Sequence, residues 1–537
     1  MLSLTTEVLV IGGGATGAGV AWDASLRGFD VILVDRLDLA EGTSGRFHGL
    51  LHSGGRYAVK DAAAARECIT ENRILRRVAA DCIEDTGGMF VTTPWDDPQY
   101  ADRFLAACRE TDVDCEEIPA AQALDDEPRL NPAISRAFRV PDANIDIWKT
   151  VWAMARGAEQ RGARILPYHQ VVAIRRDGDR VTGARVRDVR AGEELEIEAG
   201  VTVNATGAWA GQIADLAGIE GVRVFPGRGI MIAMNHRLVN TVINRCQLPT
   251  DGDIIVPIRT VSVIGTTDEH TEDPDDHTVS PADVDKMLDD GERLVPGFRQ
   301  ARALRVWAGV RPLFEDAKAS DTATRDVTRA HALLDHRARD GVGGFVTITG
   351  GKVTTFRLMA QETVDAVCDI LGRPAACSTA SEPLPGSESG VNYHLGERLA
   401  RKEERLLDEQ IICECELVSR DALERALADS GSSNLDDIRR RLRLAMGPCQ
   451  GGFCIYRAIG VMHARDGIDA EQADASLLDF LQERWKGVQP ILYGDQLRQV
   501  RFDEWVFHGV LDVSHLPCGP LAAGQISSDR PSTEATA

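Results

Sequence analysis

With 537 residues, 43% of them apolar, and a mean hydropathy of -0.18, the chain reads as a soluble globular protein of roughly two to four domains, too long for one core. A formal net charge of -23 excludes a nucleic-acid-binding surface, and no apolar run is long enough to predict a membrane-spanning helix. Twelve cysteines behind an N-terminus that enters a strand at once, with no secretory leader, predict reduced thiols, metal ligation and a cytoplasmic location.

Residues 7–11 predict a short buried strand, followed by Gly12-Gly13-Gly14-Ala15-Thr16-Gly17 and a helix over residues 18–27. Gly12, Gly14 and Gly17 have dinucleotide-binding spacing. The first permits the tight turn, the second admits a pyrophosphate to the backbone, and the third lets helix pack on strand. The helix N-terminus offers the phosphates unpaired N–H groups and the positive end of its dipole. A second strand over residues 31–34 ends in Asp35, about 20 residues beyond the glycines, where an acid can bind a ribose hydroxyl.

Residues 201–204 predict a strand that runs into the small-residue turn Ala205-Thr206-Gly207, which packs closely beside a dinucleotide in two-domain flavoproteins and favours FAD over NAD. Residues 345–348 predict a further strand, entering Thr349-Gly350-Gly351-Lys352 and a helix over 355–371. That is a second helix N-terminus, for the ribityl chain or the flavin carbonyls. Lys supplies 7 of the 60 basic residues, which fits salt adaptation or a GC-rich coding sequence and makes Lys352 conspicuous. The expected fold is α/β, with a Rossmann-like FAD-binding domain of the glutathione-reductase/amino-acid-oxidase type. It is discontinuous, from residues 1–75, 145–220 and 335–372, and residues 76–144 and 221–334 form an inserted antiparallel-sheet substrate domain.

A Ser-, Gly- and Pro-containing linker is expected over 381–394. Beyond it come Cys413-Glu414-Cys415 and Cys449-Gln450-Gly451-Gly452-Phe453-Cys454, two thiol pairs that suggest four ligands of one centre. Between them, Ser419 caps a predicted helix over 420–428 and Asn434 caps one over 435–444, with Leu423, Leu427, Ile438 and Leu442 as their apolar contact. Zinc is one reading, although four-Cys zinc sites usually have spacers of two to four residues in both pairs. A [2Fe–2S] cluster held by four thiolates is the other, and no metal the third. The eight remaining cysteines, Cys518 among them, read as small buried hydrophobes. Residues 467–516 form a helical extension whose Trp485, Tyr493, Trp505 and Phe507 serve either as core or as a partner surface, and 519–537 reads as a disordered tail.

Several motifs in one order carry a family resemblance: residues 43–57 (Thr43 to Tyr57), Ile264-Gly265-Thr266-Thr267-Asp268, Ala308-Gly309-Val310-Arg311-Pro312-Leu313, and Gly350-Gly351-Lys352-Val353-Thr354-Thr355-Phe356-Arg357. Together they resemble the FAD-dependent glycerol-3-phosphate dehydrogenases. The four-cysteine region, similar to bacterioferritin-associated ferredoxin over 408–466, and Glu483-Arg484-Trp485-Lys486-Gly487 narrow the resemblance to the large FAD-containing chains of the anaerobic branch. It implies oxidation of sn-glycerol 3-phosphate to dihydroxyacetone phosphate. Electrons would pass through a [2Fe–2S] centre on Cys413, Cys415, Cys449 and Cys454, then through a flavoprotein B subunit, with an iron–sulfur C subunit, to a quinone-linked acceptor. Attachment to the inner face of the cell membrane would be peripheral, through those partners.

The resemblance places Arg56, Tyr57, Arg311, Arg325 and Lys352 around the substrate, with Arg329 near enough to stand in for Arg325. Besides Gly12, Gly14, Gly17 and Asp35, it implies cofactor contacts from Thr16, Arg36, Thr43, Ser44, His48, Gly49, Leu51, Ala205, Gly207, Gly351, Lys352, Thr354 and Thr355. His52, Arg311 and Lys352 are the candidate catalytic residues. His52 suits the base or a structural hydrogen bond, and Lys352 suits the substrate phosphate or the flavin carbonyls. Some single-subunit relatives carry a His in the substrate-domain strand where this chain reads Gly227-Arg228-Gly229-Ile230-Met231, and this leaves the base unassigned. The alternative function is oxidation of a 2-hydroxy acid or amine, with the four cysteines as a zinc-binding assembly module.

Overall fold

The computed structural model describes residues 2–314, 330–404, 409–430, 434–465 and 468–516. Arg325, Arg329, Cys518 and the 519–537 tail lie outside the described residues. Two sheets dominate. In the first, of eight strands, Leu2–Ile11 lies between Glu194–Asn204 and Val31–Val34, parallel to both. Arg164–Leu166 continues the parallel order beyond Val31–Val34, and Phe345–Gly350 pairs in parallel with the end of Glu194–Asn204. Alternation along the strands builds both faces. Val8, Val10, Val31 and Leu33 pack under the helices Ala15–Leu26, Ile147–Glu159 and Phe356–Leu371, while Leu9, Ile11, Ile32 and Val34 meet Val171, Ala184 and Val186 of two antiparallel strands. The helices approach closely: a Cβ on Gly157 would lie 2.5 Å from the Trp22 ring.

The second sheet has nine strands drawn from two separate stretches of chain. Its pairings are antiparallel except one, where Val242–Arg245 runs parallel to Gly88–Thr92. That exception falls where the two stretches meet, and no hairpin dictates direction there. Its long strand Ala303–Phe314 pairs along the length of Val224–Met234 and carries Arg311 near one end.

The four-cysteine region folds as a ladder of Ile411–Cys413 with Val418–Ser419 and three helices, Arg420–Ser430, Leu435–Leu442 and Cys454–Ala464, closed over fully buried Leu423, Ile438, Ile455 and Ala458. The Asn434 side chain accepts from the Asp436 N–H at 2.7 Å, and the Ser419 hydroxyl accepts from Ala422 at 3.3 Å. Charge pairs buried from water dock this unit on the rest of the chain. Arg440 meets Glu41 at 2.5 Å, Arg441 meets Asp38 at 3.3 Å, and the Tyr168 hydroxyl donates to Asp437 at 2.5 Å. Arg259, in the turn between Ile254–Ile258 and Val261–Gly265, bonds both Glu416 (2.9 Å) and Asp146 (3.0 Å). Among the described residues no helix is long and apolar enough to cross a membrane.

Candidate active site and four-cysteine centre

The glycine turn is shaped by close approach. Gly12 has a positive φ of 106°, and a Cβ there would lie 2.7 Å from the Ala205 carbonyl oxygen. A Cβ on Gly17 would lie 1.8 Å from the Gly12 carbonyl oxygen, so Gly17 lets helix Ala15–Leu26 close on the turn from behind. Asp35 stitches the turn by accepting from the Gly13 N–H at 2.6 Å and from Leu37 at 2.9 Å. Its burial pushes its pKa up to about 6 against those two bonds. The Ser44 hydroxyl accepts from Ala15 at the start of the helix (2.9 Å), and the Thr43 hydroxyl donates to Val310 (2.6 Å), tying this loop to the strand Ala303–Phe314. Arg36 lies 4.6 Å over the Trp209 ring and 2.5 Å from Asp275.

These groups line one cavity of ≈ 2790 Å³. Its wall includes Gly12, Gly14, Thr16, Asp35, Arg36, Thr43, Ser44, His48, Ala205, Gly207, Gly351 and Lys352, and it continues to His52, Arg56, Tyr57 and Arg311. Gly17, Gly49, Leu51, Thr354 and Thr355 stand behind the wall: Leu51, Thr354 and Thr355 are fully buried, and a Cβ on Gly49 would meet the Asn144 amide at 2.5 Å.

Three cations line the cavity around His48, His52 and Tyr57. Arg56 is 2.9 Å from fully buried Asp253; burial opposes its charge, and the Asp253 carboxylate outweighs burial to hold its pKa above the usual value. Arg311 is fixed by Asp268 (2.5 Å), the Thr266 hydroxyl (2.5 Å) and the Thr267 carbonyl (2.7 Å). Lys352, nearly buried, is 3.5 Å from Glu67 and 5.6 Å above the Tyr57 ring. Asp253 and Asp268, which orient two of these cations, have no motif signature of their own, although Asp268 ends the Ile264–Asp268 run. The His absent at 229 also has a physical reason: a Cβ on Gly229 would lie 2.4 Å from the Arg311 guanidinium, which fills that space.

Two imidazoles sit beside the cations. Burial, then the charges of Arg56 and Arg311, push the His48 pKa down to about 3, so it is neutral at ordinary pH. Its Nδ1 accepts from the Leu50 N–H at 3.2 Å, which leaves the proton on Nε2. The His52 ring is 6.0 Å from that of His48 and 5.3 Å from that of Tyr57, and its backbone N–H donates to the Thr354 hydroxyl at 3.2 Å.

The four thiols of the C-terminal unit are neighbours, Cys413 beside Cys415 and Cys454, and Cys415 beside Cys449. The same contacts act in opposite directions on the partners, lowering the pKa of Cys413 and Cys449 and raising that of Cys415 and Cys454. Cys68, Cys246 and Cys82 are inert by contrast: burial pushes the first two up to about 12 and Cys82 to about 11.

The family model for FAD dependent oxidoreductases matches residues 7–365, and that for the BFD-like [2Fe-2S] binding domain matches residues 411–463. The chain is 44% identical over 529 residues to the A chain of the anaerobic glycerol-3-phosphate dehydrogenase of Escherichia coli strain K12, covering 95% of this chain and 97% of the relative. It is 43% identical over 521 residues to the A1 chain of the Haloferax volcanii enzyme, covering 92% and 88%. The chain belongs to the A-type family of anaerobic glycerol-3-phosphate dehydrogenase subunits. Two solved structures share the fold. The glycerol-3-phosphate dehydrogenase from Bacillus halodurans complexed with FAD has a TM-score of 0.56 at 21% identity, covering 95% of this chain and 92% of that one. The L-alpha-glycerophosphate oxidase from Mycoplasma pneumoniae with FAD bound has a TM-score of 0.56 at 18% identity, covering 70% and 96%.

As a member of that family this protein is an FAD-dependent oxidoreductase that carries FAD and a [2Fe–2S] cluster. Its residues fit both groups. The glycine turn admits no Cβ at Gly12 or Gly17, and Gly12, Gly14, Asp35 and the first helical turn line the cavity. The four linked thiols match the donor set of a two-iron cluster. Among the described residues no three His, Cys, Asp or Glu side chains converge as ligands of a single metal ion. The match to the BFD-like [2Fe-2S] binding domain over residues 411–463 favours the two-iron cluster over zinc.

Proposed function

We propose that this protein oxidises sn-glycerol 3-phosphate to dihydroxyacetone phosphate and passes the electrons through its [2Fe–2S] centre and partner subunits to a quinone-linked acceptor. The observation that carries this reading is that Arg56, Arg311 and Lys352 all line the flavin cavity beside His48, His52 and Tyr57, a cation density suited to a phosphate dianion. FAD, held along the glycine turn, Asp35 and the Thr43–Ser44 loop, would supply a hydride acceptor for the secondary alcohol, and a cluster on Cys413, Cys415, Cys449 and Cys454 would supply one-electron transfer. Arg56 and Arg311, each held by a carboxylate, and Lys352, with Tyr57 and Arg325, bind and orient the phosphate. His52 takes the hydroxyl proton. His48, too weak a base with a pKa near 3, keeps a neutral Nε2–H donor beside the cations.

The names of the relatives support a multi-subunit assembly. In this reading a flavoprotein B subunit, together with an iron–sulfur C subunit, receives the electrons and attaches this chain to the inner face of the cell membrane. The isolated chain, with its net charge of -23, then binds anionic vesicles weakly, and tight binding would refute attachment through partners. The substrate is tested by anaerobic absorption spectra, in which sn-glycerol 3-phosphate is expected to bleach the flavin bands. Unchanged bands with it, but bleaching with a 2-hydroxy acid or an amine, would overturn the assignment.

A further inference from the structure

Two guanidinium groups from different parts of the chain close on the same cysteine. Arg302, immediately before the strand Ala303–Phe314, donates to the Pro448 carbonyl at 3.3 Å. Arg484, on the helix Ala470–Val488, donates to the Gln450 carbonyl at 3.2 Å. Those carbonyls belong to the residues on either side of Cys449. Arg484 is 7% exposed and bonds Asp503 at 2.7 Å. The Arg302 Nε is buried without a hydrogen-bond partner, and its cation lies 4.2 Å over the Phe502 ring.

The Cys413 side of the centre is different. Arg457 donates to the Ile412 carbonyl at 3.2 Å, but its side chain is 44% exposed and is answered by Glu414 at 2.5 Å. Solvent and that carboxylate screen its charge. Arg484 and Arg302 are better shielded from water, so their fields act at a lower effective dielectric; Asp503 answers Arg484 at 2.7 and 3.0 Å and reduces its share, which makes Arg302 the larger contributor.

One-electron reduction adds a negative charge to an assembly already made negative by four thiolates. Fixed cations nearby favour the reduced form, as net charge and second-layer contacts do for iron–sulfur centres generally. We propose that Arg302 and Arg484 are positioning residues that raise the reduction potential of the [2Fe–2S] centre, so that it draws electrons from the flavin. The inference rests on the two-iron reading of the four thiols. It also links the nine-stranded sheet to the redox setting, because Arg302 heads the strand that carries Arg311 to the flavin cavity. Nine residues separate them along an extended strand, about 30 Å.

The test is an anaerobic redox titration of the full chain, following the reduced cluster by electron paramagnetic resonance and the flavin by absorbance. Arg302→Gln is expected to lower the reduced-to-oxidised ratio of the cluster at fixed potential by about tenfold, 59 mV for a one-electron couple. Arg484→Gln should move the midpoint in the same direction but by less, because Asp503 already answers that cation, and Arg302→Lys, which keeps the charge, should recover at least half the shift. The flavin midpoint should stay at the wild-type value in all three. If Arg484→Gln fails to fold with Asp503 stranded, the Gln and Lys variants of Arg302 carry the test alone. A wild-type midpoint in Arg302→Gln, or equal falls in Arg302→Gln and Arg302→Lys, would overturn the proposal. A wild-type protein that gives no cluster signal on reduction would overturn the two-iron reading itself, and this inference with it.

Discussion

Arg259→Met removes the residue that joins the four-cysteine unit to both other parts of the chain. The Arg259 side chain is 10% exposed, bonds Glu416 at 2.9 Å and Asp146 at 3.0 Å, and covers the Tyr393 ring at 4.4 Å. Breaking a buried pair by removing one partner costs roughly 3–5 kcal/mol, because the remaining charge is stranded. Here Glu416 keeps Arg443 at 3.1 Å and Asp146 still accepts from the Lys149 N–H at 3.1 Å, so the lower end, about 3 kcal/mol, applies. Methionine replaces much of the aliphatic stem, so most of the loss is electrostatic. At about 1.4 kcal/mol per factor of ten, the docking equilibrium should weaken on the order of 100-fold. Stopped-flow mixing with substrate should show flavin reduction at the wild-type rate and slower, smaller appearance of the reduced cluster. Limited trypsinolysis should release the C-terminal unit faster. Wild-type cluster reduction and wild-type proteolysis together would refute the idea that this pair of ion pairs holds the redox centres in register.

Three further outcomes follow from the geometry. Cys449→Ser should leave substrate bleaching of the flavin intact and abolish onward transfer to an artificial one-electron acceptor, which steady-state and single-turnover assays separate. Gly17→Ala should yield protein with little bound flavin, because the new Cβ would lie 1.8 Å from the Gly12 carbonyl oxygen; the ratio of flavin to protein absorbance checks it. His48, held near pKa 3 in the fold against an ordinary value of 6.5, stays neutral while the unfolded chain protonates. Its contribution to stability is therefore full above about pH 6.5 and is lost as pH falls toward 3, a few kcal/mol in all. Asp35, raised to about 6, has the opposite slope. The difference between wild type and His48→Gln in urea titrations across that range isolates the imidazole, and equal slopes would contradict its burial as a neutral ring.

The parts legible in the sequence were those whose signal is local. Gly12, Gly14 and Gly17 lie within one turn of chain, and the two cysteine pairs announce themselves by spacing. Even there the boundaries moved. The first helix begins at Ala15 and not at residue 18, because Gly14 already occupies the cap position and Thr16 and Gly17 form the first turn. The first strand reaches back to Leu2, since residues 2–6 pair with the hairpin-bearing start of Glu194–Asn204 despite their partly exposed side chains. The docking network was not legible. Arg259 and Glu416 are 157 residues apart, and an arginine in so arginine-rich a chain carries no mark of its partner. The carboxylates Asp253 and Asp268 were hidden for the same reason: they act on a guanidinium brought to them by tertiary structure.

One chain that both oxidises a phosphorylated alcohol and hands on its electrons singly must show both events in a single sample. The most direct measurement adds sn-glycerol 3-phosphate anaerobically to the isolated full chain and freezes samples over time for paired absorption and paramagnetic resonance spectra. The expected result is bleaching of the flavin bands followed by the signal of a reduced [2Fe–2S] centre in the same samples. Bleaching with a permanently silent cluster, or no bleaching at all, would contradict it.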